Sequence, residues 1–127
     1  MPLLETEVER VEPDITLVRL TGKIVLGPDS QKLEALVHDL LRREQKKIVF
    51  DLSGVSYVDS TGMGTIVSCL SRAMKADGGL RLAGVTDRVR QLFKITRLDN
   101  VIAFYPSVPA AAESFAAPGK PGGESQF

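Results

Sequence analysis

The segment Val58-Asp59-Ser60-Thr61-Gly62-Met63-Gly64 holds the most chemistry in this chain. It puts a carboxylate, two hydroxyls and two glycines where a hydrophobic run gives way to a helical pattern. Hydroxyls at such a junction sit near the free N–H groups and positive dipole end of a helix. That setting favours an anion, including a phosphate carried by the hydroxyl itself. Ser60 or Thr61 acting only as a helix cap is the plain alternative. Two glycines in the first helical turn argue against a purely structural cap, since each costs about 1 kcal/mol relative to Ala. They point to a close backbone approach.

Other candidates for chemistry do not assemble. A nucleophilic serine needs a base and an orienting partner, and the sole histidine, His38, falls on the flank of the first helical pattern. Asp51 and Asp59 form no defined acid–base pair across a strand end and loop. One His and one Cys cannot build a four-ligand zinc site, and no metal or other cofactor is expected. Gly62-x-Gly64 lacks the third glycine of a dinucleotide fingerprint, and no phosphate-loop string occurs. Cys69 lies mid-helix among apolar residues and reads as a buried, inert thiol. Met63 and Met74 read as core. The chain is therefore read as a non-enzyme.

The elements that must position the Ser60 turn follow from hydropathy. Ile15–Leu20 is a β-branched apolar run ending at Thr21-Gly22, and the segment around Val8 and Val11 pairs with it as a hairpin across Glu12-Pro13-Asp14. Gly27-Pro28-Asp29-Ser30 opens a helix, with Asp29 or Ser30 as its cap and Leu33, Leu36, Val37, Leu40 and Leu41 as its apolar stripe. Ile48–Leu52 reads as a central strand buried on both faces, and 53–60 as a loop. Met63, Ile66, Val67, Leu70 and Met74 give the next helix face, ended by Asp77-Gly78-Gly79. Leu80–Ala83 is a strand, and Thr86 caps a helix carrying Val89, Leu92 and Phe93. Val101–Phe104 is a last strand, and 106–115 holds a short helix. Strands separated by helices predict an α/β domain with parallel neighbours: one mixed sheet of four to five strands with an N-terminal hairpin and helices packed on it.

Length and composition agree. With 127 residues, 43% hydrophobic and 25% charged, the chain suits one globular domain, assigned to 1–115, with a Pro/Gly-rich disordered tail at 116–127. Sixteen basic and sixteen acidic residues leave no net charge, which disfavours nucleic acid as a partner. The N-terminus carries Glu5, Glu7, Glu9 and Glu12 in place of a basic signal region, and no run is long enough to span a membrane. A cytoplasmic setting is expected.

The string IVFDLSGVSYVDSTGMG, the helix after it, GGLRLAGV and DRVRQLFKITRLDNV resemble the STAS-domain family of bacterial anti-sigma factor antagonists, over roughly residues 6 to 115. The Asp-Ser-Thr-Gly turn after a hydrophobic strand is the most specific part. The resemblance implies a cytoplasmic protein-binding module of transcription regulation and signal transduction. Unphosphorylated, such a module sequesters an anti-sigma factor serine kinase and so frees a sigma factor; the kinase phosphorylates the Ser of the turn, here Ser60 with Thr61 as fallback, and a serine phosphatase resets it. Partner binding is expected at Asp59, Ser60, Thr61, Gly62 and Met63. A STAS scaffold or accessory subunit of a signalling or lipid-transport complex, without a Ser60 switch, is the other role the resemblance allows. One stretch departs from the family, which commonly reads Gly, acidic, aliphatic, Asp after the second strand. Here Gly22-Lys23-Ile24-Val25-Leu26-Gly27-Pro28 stands there, and two carboxylates are absent.

Overall fold

Alternation along the strands decides the architecture of the computed structural model, which describes residues 3–116. In β2 (Ile15–Ile24), Val18 and Leu20 face one side and Ile15 and Leu17 the other, and all four are buried. In β3 (Lys47–Val58), Ile48, Phe50 and Leu52 share a side with Val18 and Leu20, whereas Val49 lies with Ile15 and Leu17. A strand apolar on both sides must be covered on both sides. The larger core lies beneath α1 (Pro28–Arg42), α2 (Ser60–Lys75) and α3 (Asp87–Ile95), which contribute Leu33, Val37, Ile66, Cys69, Val89 and Phe93. The smaller lies beneath α4 (Val108–Ser114), with Ala111 against Ile15, Leu17, Val49 and Ala83.

The sheet has five strands in the order β1-β2-β3-β4-β5. β1 (Leu4–Val11) pairs antiparallel with β2; β3, β4 (Gly79–Ala83) and β5 (Phe104–Tyr105) run parallel to β2. The α/β mixed sheet with its N-terminal hairpin is as expected, with the turn at Glu12-Pro13-Asp14 and a cis Glu12–Pro13 bond.

Several boundaries differ from the sequence reading. Residues 53–58 are strand, because β2 continues past Leu20 to Ile24 and pairs with β3 up to Ile24↔Val58, with register shifts after Arg19 and Gly22. The last strand is Phe104–Tyr105 rather than Val101–Phe104: β4 offers partners only at Leu82 and Ala83, and a 3-10 turn at Leu98–Asn100 occupies the approach. α1 starts from Gly27 without a side-chain cap. Asp29 instead accepts from the N–H groups of Leu3 (2.9 Å) and Leu4 (3.2 Å), and the Ser30 hydroxyl donates to the Val25 carbonyl. Met74 is 62% exposed, not core, since the buried stripe of α2 runs through Met63, Ile66, Cys69, Leu70 and Ala73. The tail expected at 116–127 lies, but for Ala116, outside the described residues.

Candidate functional site at the Ser60 turn

The long β2–β3 pairing carries the end of β3 beside the end of β2, and the chain turns there into α2. Asp59 is the N-cap of α2, with extended backbone and a side chain that accepts from the Gly62 N–H at 2.7 Å. The cap is thus neither Ser60 nor Thr61. The other carboxylate oxygen of Asp59 accepts from the Leu26 N–H at 3.0 Å, and the Asp59 N–H donates to the Ile24 carbonyl at 3.2 Å. One residue therefore ties the first turn of α2 to the loop between β2 and α1.

Gly62 makes the second tie. A Cβ on it would stand 1.9 Å from the Ile24 carbonyl oxygen and 3.0 Å from Cγ1 of Val58, so only glycine permits the contact. The close approach expected of the two glycines holds for Gly62. It fails for Gly64, where a Cβ would meet nothing within 4 Å.

With backbone and carboxylate committed, the hydroxyls are left over. Ser60 and Thr61 are exposed, and among the described residues neither hydroxyl has a hydrogen-bond partner. Ser60 is the first residue of α2, where anionic groups meet free N–H groups and the dipole. Asp59 is half-buried, Gly62 is buried, and Met63 is 4% exposed with its Sδ 3.4 Å from the Thr96 hydroxyl. Of the five expected partner-contact positions, Ser60 and Thr61 stand outermost and Gly62 and Met63 form the floor.

The other candidates stay apart. His38 is exposed on α1 and hydrogen-bonds to no described residue. Asp51 accepts from the Ser53 N–H at 3.0 Å and faces Arg19 at 3.9 Å, on the α4 side of the sheet. No cluster of three or more His, Cys, Asp or Glu able to hold a metal occurs among the described residues, and none of their helices is long and apolar enough to cross a membrane. Cys69 is fully buried; desolvation chiefly, aided by Glu34 and opposed by Arg72, pushes its thiol up to about 12 from 9.0. Between those values the unfolded chain loses this proton and the folded one keeps it, so the Cys69 contribution to stability is complete below pH 9.0 and declines above it.

Leu26 was not among the expected site residues, although it is 75% exposed and bonded through its N–H to Asp59. A large aliphatic residue just before Gly-Pro, where a loop residue would ordinarily be polar, was the available signal.

Comparison with known proteins identifies the family. The STAS domain model matches residues 7–111, and the chain belongs to the STAS domain family. It is 35% identical to the anti-sigma-B factor antagonist of Staphylococcus aureus (strain NCTC 8325 / PS 47) over 71 residues, 56% of this chain and 66% of that protein, a little under two thirds of the relative's length. It is 32% identical to the anti-sigma-B factor antagonist of Bacillus subtilis (strain 168) over 99 residues, 78% of this chain and 88% of that protein. The crystal structure of a putative anti-sigma factor antagonist from Thermotoga maritima shares the fold with a TM-score of 0.76 at 24% identity, over 88% of this chain and 95% of that one.

Proposed function

We propose that this chain is an anti-sigma factor antagonist, a cytoplasmic binding protein rather than an enzyme, whose hold on an anti-sigma factor serine kinase is set by phosphorylation of Ser60. The observation that carries the reading is the exposed, unpartnered Ser60 hydroxyl at the start of a helix whose first turn is fixed from beneath by Asp59 and Gly62. The names of the two relatives support the antagonist role.

The switch is electrostatic. A phosphate on Ser60 adds about −1.5 to −2 charges beside Asp59. In the free protein the N–H groups and dipole of α2 stabilise that charge together with water; in a packed interface it must be desolvated. A penalty of about 3 kcal/mol weakens binding more than a hundredfold, enough to release the kinase and with it to trap the sigma factor again. A serine phosphatase restores the binding form. Ser60→Ala is expected to bind the kinase constitutively and to take no label from ATP, and Ser60→Asp to bind it more weakly. Full labelling of the Ala variant, or unweakened binding by the Asp variant, overturns the switch.

A further inference from the structure

The two most exposed large apolar side chains among the described residues are Leu26, at 75%, and Ile95, at 74%. Both adjoin the Ser60 turn. Leu26 is bonded through its N–H to Asp59, and Ile95 precedes Thr96, whose hydroxyl lies 3.4 Å from Sδ of Met63 in the first turn of α2. Aliphatic residues held in water by an ordered backbone mark a contact surface when they share a patch.

Cations outnumber acids beside Ile95. From Asp87 to Asp99 the chain carries Arg88, Arg90, Lys94 and Arg97 against Asp87 and Asp99, and the oxygens of Asp59 beside Leu26 accept from the backbone N–H groups of Gly62 and Leu26. Arg90 lies over the Phe104 ring, whereas Arg88, Lys94 and Arg97 are in no ion pair with a described residue. Lys94 and Arg97 flank Ile95 and Thr96 directly. Acids without an ion pair to a described residue stand on another element, Glu5 and Glu7 on β1. Cations left unpaired beside exposed aliphatic residues match a surface that brings carboxylates around an apolar side chain.

We propose that Leu26, Ile95, Lys94 and Arg97 form a docking surface for an acidic protein segment with apolar residues among its carboxylates, presented by the partner that reads Ser60. This rests on the Ser60 reading and adds the partner's chemistry. It also gives the phosphate a second route of action, since the new charge would face carboxylates.

The test uses the full chain, labelled with 15N, and a blocked twelve-residue peptide of alternating Glu and Leu at low salt, with a Lys/Leu peptide as counterpart. The acidic peptide is expected to shift the amide signals of Leu26, Gly62, Ile95, Thr96 and Arg97, and the basic one to leave them in place. Lys94→Glu combined with Arg97→Glu should weaken the acidic peptide roughly tenfold or more, as should 0.5 M salt, while the remaining spectrum keeps its dispersion. Ile95→Ser should weaken it as well with the charges untouched. Equal binding of the two peptides, shifts confined to other surfaces, no shifts, or unchanged affinity in the charge-reversed variant overturns the proposal. So does concentration-dependent self-association abolished by Glu7→Lys on β1, which would make a second copy the occupant. Failure of the Ser60 reading is distinguishable: the kinase would then bind Ser60→Ala and Ser60→Asp alike, whatever the peptides do.

Discussion

The two ends of the parallel strands use one device for different purposes. At the end where β2 and β3 finish, Gly62 lies against the Ile24 carbonyl; at the end where β3 and β4 begin, Gly78 lies against the Lys46 carbonyl, which a Cβ would meet at 2.3 Å. Each glycine locks one terminus of α2 to the segment beside it. The polar groups around the locks differ. Near Gly78, an open concavity of about 330 Å³ is lined by charges that answer one another: Lys47 meets Asp14 at 2.8 Å and Lys46 meets Glu44 at 3.2 Å, while Arg81 donates to the Ser114 hydroxyl and stacks on Phe115. Beside Gly62 the hydroxyls of Ser60 and Thr61 have no described partner, and neither do Lys94 and Arg97, on either side of the Ile95-Thr96 step that reaches Met63. A lock whose neighbours satisfy each other is architecture. A lock that leaves its neighbours unsatisfied holds them out for something else.

The largest effect expected from breaking this pair is the steric one. Gly62→Ala and Gly78→Ala should each cost about 3 kcal/mol, since the new methyl meets backbone that cannot step aside, and each melting midpoint should fall by roughly 10 °C. Only Gly62→Ala is expected to lower binding of the proposed kinase partner further, measured below both midpoints. Equal losses of binding in the two variants would erase the distinction between the ends.

A middle-sized effect sharpens the Ser60 end alone. Asp59→Ala removes the acceptor for both Gly62 and Leu26 and should cost about 1–2 kcal/mol in chemical denaturation, with Asp59→Asn recovering part of it through one amide oxygen. If Asn and Ala are equally destabilised, the cap contributes nothing through its oxygen.

The smallest effect has the opposite sign. Gly64→Ala should raise stability by about 0.5–1 kcal/mol, because its Cβ enters open space and the unfolded chain loses freedom. A loss in the same measurement would show that Gly64 has a contact of its own.

These three residues also mark how far the sequence could be read. The order of elements was legible from periodicity, since each buried stripe of α1, α2 and α3 repeats at helical spacing. The Asp-Ser-Thr-Gly turn was legible as a candidate site from its residue types and its place between a strand and a helix. What escaped were features set by a distant strand. Ser53, Gly54 and Ser56 look like loop, and they are strand because β2 pairs with Gly54, Val55, Tyr57 and Val58, while register shifts leave Ser53 and Ser56 without a partner and break the alternation. Asp59 and Ser60 are both good caps by type, and the Leu26 N–H and Ile24 carbonyl decide between them. Gly62 and Gly64 are alike in sequence, and only the position of one carbonyl separates them. Met74 sits at helical spacing from Leu70, yet the buried stripe at that turn passes through Ala73, fully buried, and leaves Met74 on the flank.

Glu5 and Glu7 on β1, an edge strand of the sheet, and Arg88, Lys94 and Arg97, in and just after α3, are exposed and in no ion pair with a described residue, so opposite charges stand open on separate elements of a chain with zero net charge. A molecule with no monopole does not drift toward a charged body, but it does turn in its field. Encounters then begin already oriented, with the α3 end leading toward a negative surface, and fewer collisions are spent on the wrong face. Added salt would slow such encounters by shortening the reach of the torque, even though titration to the isoelectric point would suggest a protein indifferent to charge.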